Sequence, residues 1–270
     1  MGRLPKRVNE HFFDRESKEM YYVLGAFYKK HIEDGERGLI FKSRHRDLVN
    51  IVKNKLRSKH AINSHTTKSS HCIQMKAVPY LRSKLESLGV KGDMEDREFP
   101  NFIPEIYLDH YIRGLFDAQA NICLVNYSEN VIATNINLRF NNKFLVSLNE
   151  MLKKYANVSR PAPMGNDLLY CGADSSRIYD FIYRDMEYIE NSWLYLPFKK
   201  KLFIHFEYKS GKNNHIPCLK KIEEAKKLLI EGRKGSDISS KLGYSYPESF
   251  YRAFKHITGQ TTRLFLRENL

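Results

Sequence analysis

The cleanest alternation of apolar and polar positions runs over Val131–Asn141, with Ile132, Ile136, Leu138 and Phe140 on one face and Asn135, Asn137 and Arg139 on the other. A period of two residues marks a strand with one buried side. Shorter segments at 39–43, 61–66, 71–76 and 168–172 read the same way. Helical spacing predicts helices over 16–31, 47–57, 78–88, 175–189 and 142–155, the last carrying Phe144, Leu145, Leu148, Met151 and Leu152 at a helical period. The stretch Asp109–Leu124, DHYIRGLFDAQANICL, also reads as a helix, but with Gly114 in its interior. Glycine there costs about 0.5–1 kcal/mol relative to alanine, so it implies close approach by a second backbone.

Met20–Lys30, MYYVLGAFYKK, offers that backbone, because Tyr22, Gly25 and Phe27 repeat the spacing of Tyr111, Gly114 and Phe116. One internal repeat of this kind suggests two similar lobes, joined where the helices cross on Gly25 and Ala26 against Gly114 and Ala118. Two unrelated amphipathic core helices are the plainer alternative.

These residues resemble the paired motifs of the LAGLIDADG homing-endonuclease family. RGLFD at Arg113–Asp117 carries the match, supported upstream by Leu88-Gly89-Val90, Phe99-Pro100 and Ile103-Pro104-Glu105. The resemblance spans Val8 to Tyr208 and implies an α+β fold of two pseudo-symmetric αββαββα lobes with antiparallel saddle sheets. Lobe one would cover 15–104 and lobe two 105–208, after an N-terminal arm at 1–14. It also implies an acid at the end of each motif helix, the pair holding divalent metal over the scissile phosphates. Counted from each glycine, those positions fall on Lys30 and Gln119. A protonated lysine cannot ligate magnesium, and an amide is a weaker ligand than a carboxylate. On this ground the chain is expected to bind DNA without being an enzyme, with no catalytic residue, no metal and no cofactor. Asp34, in Asp34-Gly35, lies one turn further on and would restore an acid, although Asp-Gly is also a tight-turn dipeptide. An active or nicking endonuclease therefore stays open, as does an intron-RNA maturase, a role that some members of the family hold.

Charge fits a polyanionic partner. The 270 residues carry 45 Lys and Arg against 31 Asp and Glu, a net +14. Nucleic acid is the leading candidate and an anionic membrane surface the lesser one. Asn135, Asn137 and Arg139 can pair bidentately with adenine and guanine edges, and Lys42 and Arg44 lie opposite Leu39 and Phe41 on their own strand. A merely solvated strand face would be polar as well. Arg3, Lys6 and Arg7 in the arm could touch phosphates, and Lys199-Lys200-Lys201 reads as a solvated face that could do the same. The cysteines, Cys72, Cys123, Cys171 and Cys218, show no zinc spacing and read as reduced thiols. No apolar run approaches the ~20 residues of a membrane span, and the N-terminus lacks the apolar core of a signal peptide. The expected location is the cytoplasm, in association with the nucleoid.

From 209 to 217, KSGKNNHIP has no apolar period and reads as a linker to a small all-α domain at 218–270. LKKIEEAKKLLI places Ile222, Ala225, Leu228 and Leu229 on one helical stripe. A short helix from Ser236, a turn at Gly243 and a helix after Ser245 make a helix-turn-helix, with Ser245-Tyr246-Pro247-Glu248 as its capping box. Here the chain resembles the AraC-type regulators, through IEEAKKLLIEG, DISSKLGYS and FYRAFKHITGQTTRLFLRE, with Ile238, Leu242, Phe250 and Phe254 as buried positions. That resemblance runs from Ile216 to Asn269 and places Ser245, Tyr246, Glu248, Ser249, Tyr251, Arg252 and Lys255 toward DNA. A small helical bundle that binds protein is the alternative. The expectation is a sequence-specific, double-stranded DNA-binding transcription regulator, a monomer with an internal pseudo-two-fold, with RNA polymerase left open as a further partner.

Overall fold

Two helices of the same pattern lie at the centre of the larger unit, and their flanking strands form one sheet each. The computed structural model describes residues 8–28, 38–65, 70–90, 96–128, 131–159, 162–203, 207–208, 218–242, 244, 247–258 and 260–269. Lys30, Asp34, the arm residues Arg3, Lys6 and Arg7, the segment 209–217, Gly243, Ser245 and Tyr246 lie outside them. The chain divides into two compact units, one of 1–125 with 133–204 and one of 126–132 with 205–270.

In the first unit, a short 3-10 helix at Glu10–Asp14 precedes α1 (Lys18–Phe27), β1 (Leu39–Ser43), α2 (Arg46–Lys55), β2 (Ile62–His65), β3 (Ser70–Met75) and α3 (Pro79–Ser87). The second half runs α4 (Glu105–Gln119), β4 (Asn121–Ser128), β5 (Val131–Arg139), α5 (Asn142–Ala156), β6 (Asp167–Cys171), α6 (Ala173–Ile182), α7 (Met186–Ser192) and α8 (Pro197–Phe203). Local chemistry sets several starts. The Ser17 hydroxyl accepts from the Met20 amide at 3.1 Å and the Asn141 side chain from Phe144 at 2.8 Å, each relieving an orphan donor of the first turn.

Lobe one forms a three-stranded antiparallel sheet in the order β1-β3-β2, and in lobe two β5 lies between β4 and β6. The inner faces are apolar: Phe41 pairs with Ile73 and Leu39 with Met75, while Ile136 pairs with Tyr170 and Leu138 with Leu168. All eight side chains are buried. The two-lobed α+β architecture follows the expected pattern, with one strand described in the first hairpin of lobe one and one in the second hairpin of lobe two.

Two helix boundaries differ from expectation. The helix read over Asp109–Leu124 ends at Gln119, and β4 begins at Asn121. The helix read over 175–189 is broken at 183–185 into α6 and α7. Tertiary partners hold that break: Arg113 takes the Ile182 carbonyl at 2.7 Å, Arg184 pairs with Asp109 at 2.9 Å, and Asp185 pairs with Lys18.

In the second unit, β7 (Glu207–Tyr208) pairs with Val131 and Ile132. The unit continues through α9 (Cys218–Ile230), α10 (Gly235–Lys241), α11 (Pro247–Thr258) and α12 (Thr262–Asn269). Ile222, Ala225, Leu228 and Leu229 pack with Ile238, Leu242, Phe250 and Phe254 in a separate apolar core, as the stripe on α9 required. Among the described residues no helix is long and apolar enough to cross a membrane.

Candidate nucleic-acid interface

The site is built outward from the helix crossing. A Cβ placed on Gly114 would lie 1.9 Å from the Tyr22 carbonyl oxygen, and one on Gly25 would lie 2.1 Å from that of Tyr111. Each glycine thus meets the tyrosine backbone of the other motif copy, a reciprocal contact about a local two-fold. Neither backbone can move aside, so only glycine fits at either position.

Polar groups fix the C-terminal end of α4. Asp117 is fully buried, accepts from the Tyr22 hydroxyl at 2.7 Å and from the Leu196 amide at 3.1 Å. Lys199 donates to the carbonyls of Phe116, Asp117 and Ala120 at 2.8, 2.9 and 2.8 Å. These contacts end the helix at Gln119, because the last carbonyls, which a helix leaves unpaired, are taken by an ammonium rather than by a further turn. Lys199 therefore departs from the solvated face expected of its run: it is 5% exposed, whereas Lys201 is exposed and Lys200 pairs with Glu190. Burial pushes the Asp117 carboxyl up to about 6 against the pull of Lys199, and pushes Lys199 down to about 8. Beside them Arg113, also fully buried, donates to Leu194 O at 2.8 Å and to His110 Nδ1 at 2.6 Å. Burial, and then that guanidinium, hold His110 down at about 3.

The polar faces lie on the other side of each sheet. In lobe two, Arg139 pairs with Asp167, Asn137 with Leu169 and Asn135 with Cys171. Arg139 and Asn137 are exposed and Asn135 is half-buried. The Arg139 guanidinium lies 3.4 Å from Asp167 with its side chain 77% exposed. A pair that open to water is worth little, so the guanidinium can leave it for a base edge at small cost. In lobe one, Lys42 shares the outer face with Cys72 and Asn63, while Ile40 and Gln74 stand beside them. Lys42 and Arg44 are exposed. That face carries fewer donors than its counterpart.

Gln119 opens onto a shallow polar depression, which it lines with Asn121, Asn137, Arg139 and Asp167. Asp167 and Asn121 were not singled out from the sequence. Asp167 reaches the site only through strand pairing with a residue far away in the chain, a relation that no local spacing reveals. Gln119 and Asp167 offer oxygens of the kind a hard cation takes, but the Arg139 guanidinium competes for the one carboxylate. Among the described residues no three His, Cys, Asp or Glu gather as a metal site. The described residues thus do not make up the divalent-cation set that the motif pattern implies, and Lys30 and Asp34 lie outside them.

In the second unit, Glu248, Tyr251 and Lys255 are exposed on α11. Ser249 and Arg252 belong to the same helix, with side chains outside the described residues, and Ser245 and Tyr246 of the capping box lie outside altogether. Among the described residues, Cys72, Cys123 and Cys171 form no disulfide.

No family model matches the chain. No curated protein matches it either. Among solved structures, the crystal structure of the LAGLIDADG homing endonuclease I-GzeII in complex with its DNA target is similar, with a TM-score of 0.46 and 10% identity, over 87% of this chain and 96% of that one. At that identity it assigns no residue of this chain a role. That protein is an endonuclease, and the expectation drawn from Lys30 and Gln119, that this chain is no enzyme, is withdrawn against it.

Proposed function

We propose that the chain is a sequence-specific double-stranded DNA-binding protein that serves as a transcription regulator. The observation that carries the reading is the outer face of β5 and β6, where Asn135, Asn137, Arg139 and Asp167 share one side of a sheet whose other side is core. Amides and guanidinium match the edges of adenine and guanine, and a carboxylate accepts from cytosine. Lys42, Arg44 and the net +14 supply sequence-independent attraction to phosphate. The AraC-type resemblance of the C-terminal helices supports a second base-reading contact through Ser245, Tyr246, Glu248, Ser249, Tyr251, Arg252 and Lys255. Two modules on one chain gain avidity by effective concentration. Association with the nucleoid, and contact with RNA polymerase at a promoter, belong to this reading.

Selection from a random duplex library, followed by footprinting of the strongest site, tests it. Arg139→Ala and Arg252→Ala should each relax preference at one position by about 1–3 kcal/mol. Lys42→Ala should weaken all duplexes alike and lower the salt slope by about 1. Equal losses on random and selected DNA for all three variants would refute base reading by these side chains.

A second reading, metal-dependent strand cleavage, is favoured by the Asp167 carboxylate beside Gln119 in the depression at the end of α4. Incubating the protein with the selected duplex and magnesium or manganese separates the two. Specific breaks that Asp167→Asn abolishes, with binding retained, would make the chain a nuclease.

A further inference from the structure

The corner between α7 and α8 holds the single tryptophan of the chain in an unusual way. Trp193 sits at φ 55 and ψ 36, closing α7, and is 67% exposed. Its amide donates to Glu190 O at 3.3 Å and the Leu194 amide to Ile189 O at 3.2 Å. This is the Schellman arrangement, whose left-handed position belongs to glycine or asparagine. The same unit supplies its own control: α5 ends on Asn157 at φ 54 and ψ 38. Of the non-glycine residues at positive φ among the described residues, Arg57, Ala77, Asn157 and Trp193, only the last places a large ring in solvent. A bulky side chain there strains the backbone, and an exposed indole costs hydration as well. Helix closure by itself accounts for neither.

The indole stands on a firm base. Leu194 and Leu196 are fully buried, the Leu194 carbonyl accepts from Arg113 at 2.8 Å, and the Leu196 amide donates to Asp117 at 3.1 Å. Tyr195 lies beside Trp193 with ring planes 15° apart and centroids separated by 6.4 Å. The Lys200 ammonium is 5.3 Å from the Tyr195 ring while also pairing with Glu190 at 2.5 Å, and Lys201 is exposed. Further along, the Phe198 ring packs 4.6 Å from His45, the residue that caps α2 just beyond β1. The corner therefore reaches the end of the lobe-one sheet.

We propose that Trp193 and Tyr195 form a stacking site for an unpaired nucleobase, with the Lys200 ammonium beside the Tyr195 ring. Every base has a π-face, so aromatic stacking holds single strands with little regard to sequence, and a nearby cation adds to it. A protein partner would call for a wider apolar patch around the rings, whereas the Lys200 ammonium lies against the Tyr195 ring on a chain of net charge +14. The site goes beyond the duplex reading, because a paired base keeps its faces inside the stack. It takes a single strand, a bulge or an extruded base.

With one tryptophan in the chain, its emission reports the site directly. Titrating the full protein with a thymidine oligonucleotide, with a duplex carrying one bulged nucleotide and with a fully paired duplex, while following labelled-DNA anisotropy, provides the three arms. Emission should be quenched at saturation in the first two and unchanged in the third. Trp193→Asn should unfold at the same or a higher temperature, bind the single strand and the bulged duplex about tenfold more weakly, and leave the paired duplex unaffected. Tyr195→Leu should reproduce part of that loss.

Unchanged emission at saturation, equal quenching by paired and bulged duplex, or full single-strand affinity in both variants would overturn the stacking site and leave the duplex reading standing. Quenching by the single strand without duplex binding would do the opposite. Failure to bind any of the three would remove both.

Discussion

The two motif helices meet on matching glycines and keep different company beyond them. On the α4 side, Asp117 accepts from Tyr22, and Lys199 closes the helix. On the α1 side, Tyr28 stands where Asp117 does, three residues after the glycine. It packs edge-on against Tyr111, whose buried hydroxyl has no hydrogen-bond partner among the described residues. The end of α1 is met instead by Arg97, which donates to the Tyr28 carbonyl at 2.5 Å. A backbone contact tolerates no asymmetry, since either glycine would clash in the same way. The polar groups around it are free to diverge as long as each copy settles its own buried donors and acceptors. At the ends of the motif helices the pseudo-two-fold thus holds for the backbone crossing and not for the polar groups around it.

Breaking the crossing should have the largest effect. Gly114→Ala and Gly25→Ala each drive a methyl into a carbonyl that cannot retreat, and each should cost about 3 kcal/mol or more, read from the denaturant midpoint. A mild loss in one of them alone would show that the two helices are not held alike.

Next comes the asymmetric cap. Lys199→Met leaves three carbonyls short of a donor and Asp117 without its neighbouring cation, at a cost of about 3 kcal/mol. Lys201→Met, two residues on and exposed, should change stability by less than about 0.5 kcal/mol. Equal effects would mean that the lysine run acts through its net charge.

The tyrosine pair sharpens the same point at smaller scale. Tyr22→Phe takes a donor from buried Asp117 and should cost about 1–2 kcal/mol, whereas Tyr111→Phe removes a hydroxyl with no partner among the described residues and should be neutral or slightly stabilising. The reverse order would refute the assignment of polar roles.

The smallest effect at neutral pH concerns His110, whose value lies at about 3 in the fold and near 6.5 in a free chain. The unfolded chain takes its proton first, so this group loses stability as pH falls from about 6.5 toward 3. Asp117, raised to about 6 in the fold, works in the opposite sense: the folded protein takes that proton first and gains stability as pH falls from about 6 toward 3.8. His110→Gln, which can still accept from Arg113, should match the parent protein at pH 7 and lose less stability than it on acidification. Parallel curves of denaturant midpoint against pH would show that His110 is not buried neutral.

Much of the fold was legible in the sequence. The strand at 39–43 and the stripe on α9 appear where their periods put them, the strand read over 131–141 is found but ends at Arg139, and Gly25 and Gly114 announced the crossing. A period states which side of an element is buried, and a glycine inside a helix states that something comes close. Both are local facts. The polar details were not local. Lys199 in a basic run, Asp167 opposite Arg139 and the break at 183–185 all depend on partners far off in the sequence. A buried donor or acceptor is settled by whatever the fold brings within 3 Å of it, and only the tertiary structure decides what that is.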